Sequence, residues 1–121
     1  KAVPVKSAQV LVIQSKGQWL WQQRPNSGLW GGLWCLPIIE NPVEFETLCQ
    51  TLGLKKVIQR AEITHSFTHF TWQLEAVCFE VDADQQEHLS IELGGSWLAA
   101  QIATEMGIPT AMKKLISVIN L

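Results

Sequence analysis

Gly28-Leu29-Trp30-Gly31-Gly32-Leu33-Trp34-Cys35-Leu36-Pro37, read on to Gly53-Leu54, decides the fold. Three glycines and two tryptophans share its first ten residues. Glycine lets a backbone turn tightly or approach another group closely, and tryptophans beside it predict a packed loop rather than a loose linker. Upstream, Trp19 to Arg24 is strand-like and stops in the turn formers Pro25-Asn26-Ser27-Gly28. Leu33 to Leu36 predicts a short strand. Asn41-Pro42 then reads as an N-cap with proline at the first helical position, Glu44 in the first turn, and a helix to about Leu52 that Gly53 stops as its C′ residue. Val43, Phe45, Leu48, Cys49 and Leu52 are its expected apolar stripe.

The rest of the chain predicts one α+β domain over residues 1–121, with a mixed or antiparallel sheet packed between helices. Ala8 to Gln14 is a buried strand, Ser15-Lys16-Gly17-Gln18 its hairpin turn, and Phe70 to Val81 a long, partly alternating strand. Val57-Ile58 and Glu62 to His65 are further strand material, and Asp82-Ala83-Asp84 is a turn. Ala99 to Met106 reads as a short helix. Pro109 to about Ile119 reads as a better one, with Ala111, Met112, Leu115, Ile116 and Ile119 on one side.

Composition narrows the function classes. Hydrophobic residues make up 47 % of the chain and the formal net charge is −2, which argues against a nucleic-acid binder with a broad basic face. Lys55, Lys56 and Arg60 cluster after the predicted helix, Lys113 and Lys114 lie near the C-terminus, and no Lys or Arg falls between Arg60 and Lys113. A DNA contact from that span is therefore expected to be local, uncharged and made by loop tips. Cys35, Cys49 and Cys78 are scattered in apolar surroundings and read as reduced core thiols of a cytoplasmic protein, without membrane contact.

His65-Ser66-Phe67-Thr68-His69-Phe70 is the second unusual run. Its bland reading is a hairpin with aromatics in the core and a histidine hydrogen-bonded locally. A metal site of His65 and His69 with Cys78 or His88 has no standard zinc spacing.

Two resemblances now carry weight. From Gly32 the chain resembles the Nudix box, the loop–helix that holds a metal–diphosphate in Nudix hydrolases: Gly32 is its first position, Leu48 its aliphatic seventeenth, and Gly53-Leu54 its end. The charges are missing. Ile38 stands at the first glutamate position, Glu46-Thr47 at the arginine–glutamate pair and Gln50-Thr51 at the glutamate pair that would ligate Mg²⁺. Hard cations need carboxylate oxygens, so the resemblance implies a Nudix shape with no metal site and no catalytic residue.

Gln23-Arg24-Pro25, the Gly28–Pro37 stretch, Phe67-Thr68-His69-Phe70 and Gly107 to Leu115, in this order, resemble the C-terminal domain of adenine DNA glycosylases, the MutY family. That resemblance implies base-excision DNA repair: a bacterial, nucleoid-associated, monomeric enzyme that removes adenine mispaired with 8-oxoguanine, with this Nudix-like domain reading the lesion. Its partners would be duplex DNA holding the 8-oxoguanine:adenine pair and the enzyme's own catalytic domain. That helix-hairpin-helix domain, with its hydrolytic acids and 4Fe-4S cluster, is not encoded here, and three scattered cysteines cannot hold such a cluster.

The family's Phe-Ser-His loop falls on Phe67, Thr68 and His69, with threonine for the usual serine. The lesion adds an N7–H donor and a C8 carbonyl acceptor, and a hydroxyl addresses either. Phe67 is expected to stack on or wedge beside bases, and His69 to meet a phosphate or hold the loop. Arg24 and Lys16 are candidate phosphate contacts. Trp30 is either scaffold or a surface toward DNA or the catalytic domain. Two rival readings are a divergent hydrolase using Glu40, Glu44 and Glu46, and a protein-docking module with a Trp-rich surface.

Overall fold

The spine of the molecule is β1 (Val5–Ser15), in which six consecutive residues, Ala8 and Val10 to Ile13 with half-buried Gln9 among them, point alternately into two apolar layers. A strand buried on both faces must be internal to a sheet. In the computed structural model, which describes residues 3–121, β1 is indeed central: the sheet runs β3-β2-β1-β6-β5, with β4 paired to β1 and β7 to β2. β2 is Gln18–Gln23, β3 Trp34–Cys35, β4 Ile38–Ile39, β5 Val57–Ser66, β6 Thr71–Glu80 and β7 Ser96–Leu98. The β1–β6 pair is parallel, from Val5↔Thr71 to Gln14↔Glu80, and every other pair is antiparallel, so the sheet is mixed.

Helices cover both faces. Ala8, Val10 and Val12 with Leu74, Ala76 and Cys78 meet α3 (Ala100–Met106) and α4 (Thr110–Val118) through Ala103, Ala111, Met112 and Leu115. Leu11, Ile13, Val77 and Phe79 meet α1 (Pro42–Thr51) and α2 (Gln86–Leu93) through Phe45, Cys49 and Leu89. This is the α+β, sheet-between-helices architecture expected from the sequence.

α1 starts where Asn41 Oδ1 accepts from the Val43 and Glu44 amides at 2.8 and 3.1 Å. It ends with Leu54 N–H donating to Cys49 O and Gly53 N–H to Gln50 O, the paired bonds of a Schellman motif, with Gly53 at φ 71°. Val43 departs from the expected stripe. It is 73 % exposed, because two residues before Phe45 is roughly 200° around a helix from the buried side.

Three further differences from expectation have local causes. β5 is one strand rather than two pieces, with a bulge between Val57 and Gln59 absorbing the irregularity. α2 has no counterpart in the sequence pattern: only Leu89 of its eight residues is buried, so no apolar stripe announces it. None of the six tryptophans forms an exposed Trp-rich surface: Trp19, Trp21 and Trp72 are buried and Trp30, Trp34 and Trp97 half-buried. All three thiols are buried and unpaired, and burial pushes Cys35 up to about 12 and Cys78 up to about 11. No helix of the described residues is long and apolar enough to cross a membrane.

Candidate functional site

The β5–β6 hairpin ends in a two-residue tip. Phe67 N–H donates to Phe70 O at 2.7 Å, which closes the turn and leaves Thr68 and His69 exposed beyond it. Below the tip is a pedestal of five rings. Phe67 and Phe70 stack at 4.6 Å between centroids and 25° between planes. His65 meets Phe67 edge-on at 4.8 Å. Trp72 lies edge-on to both phenylalanines, at 5.8 and 5.5 Å, and Trp30 packs on Phe67 at 6.0 Å and on Trp72 at 5.8 Å. Tilted and edge-on pairs each add roughly 0.5–1.5 kcal/mol beyond area burial, so the tip stands on a stiff base. Phe67 itself is half-buried in that base rather than held out as a free wedge.

Trp30 reaches the pedestal because the glycine-rich loop is tied into a rigid knot. Gly32 N–H donates to Pro25 O, Arg24 N–H to Leu33 O, Leu33 N–H to Trp30 O, and the Gln23 side-chain amide to Gly32 O. Gly31 passes so close to the Asn26 carbonyl that a Cβ there would sit 2.5 Å from its oxygen. Trp30 takes φ 56°, a left-handed conformation that a bulky L-residue adopts at a cost. The loop thus holds Trp30 against the hairpin under strain.

Arg24 spends its Nε on Leu29 O at 3.3 Å and, with Trp30 and Trp72, lines a cleft of about 500 Å³ that also includes Glu40, Asn41 and Glu44. Lys16 does not join this site. It lies in the β1–β2 turn, at the end of β1 opposite the tip. Eleven strand residues at about 3.3 Å each separate the two ends by roughly 36 Å. The metal ligands considered from sequence do not converge either. Cys78 is wholly buried in the sheet, His88 lies on α2 across the sheet, and no cluster of three such donors occurs among the described residues.

Two cations that sequence spacing could not connect border the tip. Lys6, on β1, holds its Nζ 4.6 Å from the centroid of Phe70. Lys114, on α4, donates to Thr64 O at 3.3 Å and lies 3.4 Å from His65 Nδ1. Burial first and Lys114 second push the His65 pKa below its ordinary value, so at neutral pH its ring nitrogen is free to accept from the lysine. The span between Arg60 and Lys113 carries no Lys or Arg, and the fold brings Lys6 and Lys114 to the base of its hairpin from outside it. The two lysines stand 108 positions apart (114 − 6), which is why no local motif announced them.

The NUDIX domain family model matches residues 8–118. The chain belongs to the NUDIX domain family. Among solved structures it is similar to the C-terminal domain of mouse MUTYH, determined in complex with human PCNA. Identity is 24 % over 92 % of this chain and 84 % of that one, with a TM-score of 0.58. It is also similar to a MutT NUDIX hydrolase from Burkholderia pseudomallei, at 17 % identity over 64 % of this chain and 67 % of that one, with a TM-score of 0.52. At these identities the likeness is one of fold.

Within the NUDIX fold, the donor set on α1 does not suit a hard divalent cation. Gln50 and Thr51 are neutral and exposed, and Ile38 is in β4. Of the three acids of the hydrolase reading, Glu40, whose carboxylate accepts from Trp72 Nε1 at 3.2 Å, and Glu44, in the capped first turn, line the same cleft, while Glu46 lines a separate hollow with Gln50, Lys55 and Arg60.

Proposed function

We propose that this NUDIX domain is a recognition module that reads 8-oxoguanine opposite adenine in duplex DNA, in the service of an A/G-specific adenine DNA glycosylase. The observation that carries the reading is the exposed Thr68–His69 tip on its stiff aromatic pedestal. A hydroxyl at a fixed position can donate to or accept from the edge groups that distinguish the lesion from guanine. Preorganisation lowers the ordering cost of that contact. The neutral Gln50-Thr51 pair supports recognition over hydrolysis, and the fold shared with the MUTYH domain agrees with it. Thr68 is the discriminator, His69 meets backbone or steadies the tip, and Trp30 and Phe67 support both.

The test is an amide NMR titration of the chain with two short duplexes, carrying 8-oxoguanine or guanine opposite adenine. Shifts centred on Thr68 and His69, and larger for the lesion, are expected. Equal shifts with both duplexes would remove lesion reading from this domain. A second reading, a protein-docking module, has one observation in its favour: the similar MUTYH domain was solved bound to PCNA. Binding of a sliding clamp with no response to either duplex would favour it.

A further inference from the structure

The geometry points to Lys6 and Lys114 as a two-point clamp for the phosphodiester backbone of duplex DNA, gripping on either side of the Thr68–His69 tip. This inference rests on the recognition reading and names the charges that would position it. Lys6 on β1 and His65 on β5, the residue that Lys114 of α4 rests against, both lie level with Trp72 of β6, and at that level β1 and β5 are two strand spacings apart, about 10 Å.

Both ammonium groups are held, and neither is neutralised. Lys6 rests over the Phe70 ring and Lys114 is pinned to Thr64 O and His65 Nδ1. Each side chain has therefore already lost part of its rotamer freedom before binding. The single ion pair among the described residues, Arg60–Glu75 at 3.2 Å, involves neither. In a chain of net charge −2, two unpaired and positioned cations around an exposed polar tip make a local site for polyanion backbone. Phosphate contacts of this kind set register, while the tip reads the base.

The experiment is fluorescence-anisotropy binding of the chain to the lesion and normal duplexes across a series of NaCl concentrations. It compares wild type with Lys6→Gln, Lys114→Gln, their double variant, and Lys55→Gln/Lys56→Gln as an equal-charge control. Each clamp variant is expected to lower the slope of log K against log salt by about 0.9, and the double by about 1.8, with the control unchanged. Lys6→Arg/Lys114→Arg should restore the slope. An unchanged slope in the double variant, or an equal loss in the control, overturns the clamp. Lesion preference is read from the same data. A slope loss without any preference for the lesion would keep the clamp and sink the recognition reading. Preference retained with an unchanged slope would do the reverse. Wild-type binding to an acidic peptide but to neither duplex would overturn both.

Discussion

Thr68 and Gly31 are single residues with opposite kinds of importance. Thr68 makes no side-chain contact that the fold needs, so Thr68→Ala should leave the melting transition in place. Under the proposed recognition function, in a glycosylase carrying this domain it should cut the preference for 8-oxoguanine over guanine by the worth of one lost pairing, about 1–3 kcal/mol or roughly 5- to 150-fold. Single-turnover rates on both substrates check this, and an unchanged ratio would take Thr68 out of the role. Gly31→Ala acts on the fold instead. A Cβ driven against the Asn26 backbone oxygen cannot be relieved by a side-chain rotation. About 1–3 kcal/mol of stability should be lost in denaturant unfolding, and Trp30 should loosen from Phe67 with a change in tryptophan fluorescence. At this scale the sequence was partly legible. A tip bearing Thr68 and His69 could be read from a short motif. The strained φ of Trp30 and the half-burial of Phe67 could not, because both follow from two distant loops meeting.

Among the elements, α1 was the most legible, since its start and stop signals are written in adjacent residues: Asn41-Pro42 at one end and Gly53 at the other. Each end can be weakened separately. Asn41→Ala should cost about 1 kcal/mol by leaving the Val43 and Glu44 amides without their acceptor. Gly53→Ala should cost a similar amount by forcing a Cβ into a left-handed conformation. Ten helical residues, about 15 Å, separate the ends, so the two losses should add in a double variant. α2 shows what a pattern-based reading misses. Its hold on the fold is by polar links from elsewhere: Trp97 Nε1 donates to Gln86 O, Gln22 Nε2 to Leu93 O, and Gln86 Nε2 to Ser15 O. None of these leaves a periodic trace in the segment's own residues.

For the molecule as a whole, the site joins four parts of the chain: Lys6 on β1, Trp30 in the glycine-rich loop, the β5–β6 hairpin and Lys114 on α4. This assembly has a pH signature. His65 has a folded pKa below its ordinary value of 6.5, so the unfolded chain takes up its proton first as pH falls. Its contribution to stability is complete above about pH 6.5 and is lost as pH drops through the lower, folded value. Lys114→Gln removes one cause of the depression and should raise the His65 titration midpoint, measured by NMR, toward 6.5. A midpoint unmoved by that change would mean burial alone sets it.

The parallel β1–β6 ladder also dictates an order of events at the ribosome. Each rung joins residues 66 positions apart, as Val5 does with Thr71 (71 − 5). At about 5–20 residues per second, β1 waits on the order of 3–13 seconds for its neighbour to be made. Its other edge can take β2 and β4 meanwhile, but the open edge of an apolar strand is a template for association between nascent chains. Translation speed between α1 and β6, more than the stability of the finished domain, should therefore govern how much soluble protein a cell recovers.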